Sequence, residues 1–562
     1  MQQNLRLFLW LGLALAIWLN VEAWLKDYAP TEATTTPPSK LSATSGSSVS
    51  RLDATVPNAT PAGPPAQQPA TSPVPVSAAP PAPRIRVTTD VYDVEISTRG
   101  GDLVSTSLLA YPLRKDQPDV KVRLFSDPPD GDPYVLQTGL TGGHGAPEPN
   151  HLALYTAPGD RFVLAAGQQE LRVPFAWTGG QGLSVTKTYV FRRGSYAVDV
   201  LYDIHNAGAA PVALASYAQL LRRLPHVERS MWDVESYAFK GPAIYDGTKY
   251  RKLDVKDDED KVFSQGITNG WAASLQHHFV AAIVPAAGQA YQYQLKVDDR
   301  DYLLRAAGPA HTIAPNGSLH LQEKLFFGPK LQRQLEAAGP RLELTADYGK
   351  LTILAQPLFW LLDHVHRIVG NWGWTIILVT LLIKLVFYKL SETSGRSMAK
   401  MRAVAPRIKS MQERYKDDRE GQARAMMELY KREKINPLAG CLPIVVQIPF
   451  FLAFYWVLLE SVEMRQAPFM LWIQDLSSRD PYFVLPLLMG AAMFGQYKLN
   501  PTPPDPVQAK VFAFMPLIMT GMFAFFPAGL VLYWLTNTLL SIAQQWHINR
   551  LVEAESKKER AS

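Results

Sequence analysis

The sequence predicts a polytopic α-helical membrane protein of six spans, carrying a large antiparallel β-sandwich on the outer side and a cytoplasmic helical hairpin. Three observations lead there. Apolar runs close to the ~20 residues that cross a ~30 Å hydrocarbon layer occur six times, once at the N-terminus and five times after residue 370. Between them, residues 85–347 alternate apolar and polar at period two, punctuated by Gly, Pro, Asn and Asp. Basic residues collect in two segments, 391–436 and the C-terminal tail, which places both on the cytoplasmic side.

Taken in order, residues 1–28 read as an uncleaved signal anchor, with a cleaved signal peptide as the rival reading. Leu5–Leu19 is apolar, Arg6 precedes most of it, and Glu22 and Asp27 follow, so the N-terminus stays inside and the chain exits outward. Residues 29–84 are rich in Pro, Ala, Ser and Thr and lack aromatic residues, the composition of an extended, mobile linker. In 85–347, Tyr196, Val198, Val200, Tyr202 and Ile204 alternate with Ala197, Asp199, Leu201, Asp203 and His205, and Gly194-Ser195 separates them from the strand ending at Phe191. Tyr291, Tyr293, Leu295 and Val297 repeat the pattern, as do Leu319, Leu321 and Leu325. In 348–369, Leu351, Leu354, Leu358, Leu361, Leu362, Val365 and Val369 recur at spacings of three and four, which predicts an amphipathic helix in the outer interface or packed on the sandwich.

The core, 370–546, holds spans at about 371–390, 441–460, 482–498, 511–526 and 528–546. Residues 391–436 carry 12 Lys/Arg against 7 Asp/Glu and form the hairpin, while the outer loop after the third span has only Arg465 and Arg479 as basic residues. The tail, 547–562, is cytoplasmic and basic. Six spans put both termini on one side.

Of 562 residues, with a net charge of +6, one is cysteine, Cys441, which excludes a disulfide framework, a Cys-based zinc site and an iron–sulfur cluster. The basic excess follows topology, so nucleic acid is not implied. No metalloprotease, hydrolase-elbow or phosphate-loop signature is present, and no cofactor or metal is expected.

One charge falls inside a span. Lys384 follows apolar Ile376–Ile383, where a charge at mid-helix costs ~2.5–3.5 kcal/mol unless it faces a wet cavity or snorkels to the headgroups. Thr380, Lys384 and Tyr388 share an i, i+4, i+8 face; Tyr533, Asn537, Ser541 and Gln544 form a second polar stripe, and Gln447 adds an amide. Such stripes serve as interhelical glue or, with the lysine, as the lining of a hydrophilic groove in the inner half of the bilayer. The hairpin methionines Met398, Met401, Met411, Met426 and Met427 either close the seam between its helices or offer an adaptable capture surface.

The motifs Phe327-Gly328-Pro329, Asp347-Tyr348-Gly349, Gly370-Asn371-Trp372-Gly373, Asn436-Pro437-Leu438-Ala439-Gly440-Cys441, Gln447-Ile448-Pro449 and Phe526-Pro527-Ala528-Gly529-Leu530 closely resemble those of the YidC/Oxa/Alb family of membrane protein insertases. So do Gln356–Phe359, Ser397–Arg402, Arg465–Phe469 and Leu471–Ile473. The likeness covers 325–550, and the anchor, linker and β-domain have the layout of Gram-negative members. It implies an inner-membrane insertase and chaperone working on nascent membrane proteins, alone or beside the SecYEG translocon, with ribosome and signal-recognition contacts. It also makes the β-domain periplasmic and gives Lys384 the role of the groove's positive charge, a position where the family usually has arginine. Lys389 departs too, from the family's more frequent proline. Substrate would be captured by the hairpin, would enter near Lys384 and would leave past Tyr533 and Trp534. A small-solute transporter and an assembly scaffold are the competing classes; the first calls for a conducting path, the second for tolerance of Lys384→Ala.

Overall fold

Period-two sequence becomes two stacked sheets. The computed structural model describes residues 52–57, 82–128, 131–142, 148–225, 238–415, 418–433, 442–499 and 506–561. The predicted anchor, most of the linker and the Asn436–Cys441 motif lie outside the described residues. The larger, eleven-stranded sheet is built on Val212–Arg223, flanked by Tyr134–Thr141 and Asp301–Ala307; the eight-stranded sheet is built on Gly317–Pro329, flanked by Phe279–Val284 and Ala197–Asn206. Pairing is antiparallel except between Arg84–Thr88 and Arg161–Val163. Tyr196, Val198, Val200, Tyr202 and Ile204 all point into the core, as do Tyr291, Tyr293, Leu295 and Leu325. Gly194 takes the left-handed conformation (φ +70°) that its turn requires.

Glu323 lies between the sheets, 1% exposed, accepting hydrogen bonds from the Tyr291 hydroxyl at 2.9 Å and from the Ser216 hydroxyl. Burial pushes its carboxyl from the usual 4.5 up to about 7. The folded protein therefore holds a proton that the unfolded chain releases. This contribution to stability is complete below pH 4.5 and is lost as pH rises to 7, at most roughly 3 kcal/mol. Glu323→Gln is expected to flatten that part of the pH–stability profile and to raise the melting temperature at pH 8; thermal melts of both chains from pH 4.5 to 8 check it.

Below the sandwich, helix α1 (Gln332–Ala338) leads to the helical core. There α2 spans Thr352–Val369, α3 Trp372–Val386, α4 Tyr388–Arg414, α5 Arg419–Arg432, α6 Leu442–Glu460, α7 Val484–Leu499, α8 Pro506–Phe523 and α9 Ala528–Ala561. Helix α2 buries Ala355, Leu358, Phe359 and Leu362 against α3 and α6, not against the sandwich, and exposes Ile353, Trp360 and Ile368 on its other side. Gly370 (φ +71°) ends it, and Asn371 caps α3 by accepting from the Trp374 amide at 3.1 Å. Asn371 also donates to Phe469 O at 2.9 Å, which fixes α3 to the outer loop. That loop docks on the sandwich through the Arg465 guanidinium, which donates to Pro112 O (2.9 Å) and Leu113 O (3.0 Å).

Three expectations change. The predicted span 371–390 is not one rod: α3 and α4 meet at Phe387 with a bend of 65°, where the Phe387 ring packs on Phe450 (5.1 Å between centroids). The predicted tail is continuous with α9, which stays helical to Ala561. No single helix among the described residues is long and apolar enough to cross a membrane by itself. Within the linker, residues 52–57 are seated on the larger sheet instead of extending away from it.

Candidate functional site

The last turn of α3 carries Lys384, where the helix's own carbonyl ends favour a cation. Its Nζ donates to Ser541 Oγ at 2.7 Å, and that hydroxyl donates onward to Asn537 O at 2.7 Å. Asn537 Oδ1 accepts from Gln447 Nε2 at 2.7 Å, so three helices, α3, α6 and α9, are joined by side-chain hydrogen bonds. Among the described residues no carboxylate pairs with Lys384. A desolvated ammonium with one hydroxyl partner keeps donors for an incoming acceptor.

Five of the predicted residues, Thr380, Lys384, Gln447, Tyr533 and Asn537, line one pocket together with Ile383, Phe387, Leu390, Ser391, Val446 and Phe450. Space open to water centres inside it is about 30 Å³, room for one or two waters. Above it the packing is dry: Ile376, Val379, Phe454 and Val457 are wholly buried. The outer loop closes that end. Asp480 accepts from Trp472 Nε1 (3.0 Å), Tyr482 N (3.0 Å) and Leu485 N (2.7 Å), and Leu476 O accepts from Gly529 N at 2.9 Å.

Not every predicted residue offers its polar group to the pocket. Tyr388 lies beyond the bend, so it does not continue the face of Thr380 and Lys384; Gln544 Nε2 donates to its carbonyl at 3.4 Å. The Thr380 hydroxyl is spent on Ile376 O of its own helix, at 2.6 Å. Tyr533 is buried and stacked on Phe454 (4.3 Å), while Trp534 packs edge-on against Phe451 (4.5 Å), outside the pocket wall. Met401, Met411 and Met426 pack around the Val404, Ile408 and Leu429 seam between α4 and α5; Met427 is exposed, and the Met398 side chain lies outside the described residues. Ser391 and the aromatic pair Phe387 and Phe450 escape sequence reasoning, because only the bend brings them to Lys384.

Two family models match the chain: the YidC periplasmic domain over residues 84–361 and the 60Kd inner membrane protein over 364–557. The chain is 47% identical to the membrane protein insertase YidC of Thioalkalivibrio sulfidiphilus, over 99% of its own length and all of the relative's. The chain belongs to the YidC family of membrane protein insertases. The YidC of Nitrosococcus oceani is 45% identical, with 98% of this chain and all of the relative covered. A crystal structure of an active YidC insertase aligns with 83% of this chain and 94% of its own at 19% identity, with a TM-score of 0.36. Within a YidC-type chain, a lysine among apolar helices is the feature that most needs a chemical account.

Proposed function

We propose that the chain inserts and helps fold integral membrane proteins of a bacterial inner membrane. One observation carries the reading: Lys384, hydrogen-bonded to Ser541, lines a pocket between α3, α4, α6 and α9, with no carboxylate beside it among the described residues. A polar stretch of a nascent chain gains in that pocket the hydrogen bonds and counter-charge that hydrocarbon denies it. Helix α3 has 15 residues and spans about 22 Å at 1.5 Å per residue, short of a ~30 Å layer, so the bilayer beside it thins and the remaining crossing shortens.

The topology we assign is six spans with both termini cytoplasmic, the β-domain periplasmic and the α4–α5 hairpin cytoplasmic. The exposed side of α2 rests in the outer interface. Exposed Met427 begins the capture surface, the other hairpin methionines that are described closing the seam. The substrate's apolar helix then leaves along the third and fifth spans, past Trp534, driven by its own burial in lipid. Partners are nascent membrane proteins, lipids, the SecYEG translocon and the ribosome with its signal-recognition machinery.

Vesicles containing only this protein are expected to insert a one-span substrate that empty vesicles leave protease-sensitive. A photo-crosslinker at position 447 should capture that substrate mid-insertion, whereas one at Val457, in the dry packing, should not. Equal crosslinking at both positions contradicts the route.

A further inference from the structure

A short piece of the linker occupies a built polar groove on the β-domain. Leu52 is buried among Val104, Val135, Leu221 and Leu303 on the face of the larger sheet that points away from the core. Residues 52–55 form a turn, with Thr55 N donating to Leu52 O at 3.2 Å. From there alternate main-chain carbonyls are each taken by a side chain of the domain. Asp53 O accepts from His151 Nε2 (2.8 Å), Thr55 O from Arg305 Nη2, and Pro57 O from Thr141 Oγ1 (2.6 Å). The Asp53 carboxylate accepts from Gln137 Nε2 at 2.9 Å.

These donors are already set. The Tyr217 hydroxyl, 2.6 Å from His151 Nδ1, donates to it and leaves Nε2 as the nitrogen that points at the strap. Arg305 Nε donates to Gln219 Oε1 (2.8 Å), and Gln219 Nε2 donates to Gln137 Oε1 (2.7 Å), so the guanidinium is held by a chain of amides. His151, Arg305, Thr141 and Gln137 are all at least nineteen-twentieths buried with the strap seated. Burial pulls the His151 imidazole down to about 4, which keeps it neutral and fixes this donor pattern. Remove the strap and His151 Nε2 and Arg305 Nη2 lose the carbonyls they donate to, while the Thr141 hydroxyl is left with the Glu148 carboxylate at 3.2 Å. Donors aimed at main-chain carbonyls read a backbone path; Leu52 and Asp53 supply the side-chain selectivity.

We propose that this face of the sandwich is a peptide-binding groove for a turn-forming segment beginning Leu-Asp, and that Leu52–Pro57 is its occupant in cis. Twenty-six residues, 58–83, join the strap to the first strand of the domain, so the strap is a tethered ligand and outcompetes a free peptide.

The test uses the full-length protein in nanodiscs and a fluorescent peptide of residues 50–59. The wild-type chain is expected to show no saturable binding. A chain with residues 52–57 replaced by Gly and Ser should bind one peptide per protein, and adding Arg305→Met should weaken that binding at least tenfold. A peptide with Asp53→Ala should also bind at least tenfold more weakly. Equal binding by wild-type and strap-replaced chains, no binding by a strap-replaced chain that melts like the wild type, or indifference to Arg305→Met overturns the proposal. Should the replacement itself lower the melting temperature, the double variant Leu52→Ser, Asp53→Ala carries the same measurement. Hydrogen exchange then decides: faster exchange at 148–153 and 301–307 supports the proposal, and unchanged exchange there overturns it.

Discussion

Lys384→Glu is expected to lower insertion of a one-span substrate at least tenfold in vesicles containing only this protein, while the protein still folds. The lysine donates to Ser541, whose own proton is committed to Asn537 O. Glutamate at that position is an acceptor and finds no free donor there without breaking the Ser541–Asn537 bond. The larger effect is on the substrate. Two unit charges ~4 Å apart interact by about 4 kcal/mol at an effective dielectric of 20, and the variant reverses the sign for an acidic or polar carbonyl-rich segment. Even a third of that is a tenfold change in rate, at about 1.4 kcal/mol per decade. Lys384→Arg keeps the charge and should stay within a few-fold of the native chain. Insertion by Lys384→Glu at the native rate, with an unchanged melting curve, would remove the electrostatic step.

Asp480→Ala is expected to cost the helical core about 3–5 kcal/mol. Asp480 is 1% exposed, and its two carboxylate oxygens serve three donors: the Trp472 indole, the Tyr482 amide and the Leu485 amide in the first turn of α7. Alanine leaves the buried Leu485 amide unpaired and takes the acceptor from the half-buried Trp472 indole and Tyr482 amide, at about 1–3 kcal/mol for each group that water cannot serve. The loop also holds Arg479 against Pro527, just before α9, so its loosening opens the outer end of the dry packing above Lys384. Intrinsic fluorescence melts in detergent read the loss, with Trp472 as a nearby reporter; a fall below ~1 kcal/mol contradicts the assignment of Asp480 as the loop's organiser.

The β-domain was legible because a sheet buried on one face writes its orientation into every second residue: Tyr196, Val198, Val200, Tyr202 and Ile204 are all buried, and of the alternate positions between them only Asp199 is buried too. The site was legible where spacing and chemistry coincide. Asn537 and Ser541, four residues apart on α9, meet the amide of Gln447 and the ammonium of Lys384. Spacing misled where a helix stops being straight. Tyr388 has the right interval from Lys384, but the ring of Phe387 turns onto Phe450 and carries the next residue elsewhere, a tertiary contact with no local signature. Residue type was a partial guide at Thr380 and Tyr533: both line the pocket, but the Thr380 hydroxyl is satisfied by its own helix and the Tyr533 ring stacks among phenylalanines. The seat of Leu52–Pro57 was invisible because six residues of mixed character have no period, and the donors that hold them come from residues 84 to 250 positions away.

Seating that hexapeptide also sets a distance. If residues 1–28 serve as the membrane anchor expected from the sequence and residues 29–83 ran free, the leash to the first strand would be 55 residues, up to about 190 Å at ~3.5 Å each. Pinned at Leu52, only residues 29–51 remain between anchor and domain, 23 residues or about 80 Å at most. Release of one buttonhole would then more than double the radius the sandwich can sweep above the bilayer, without altering a single strand.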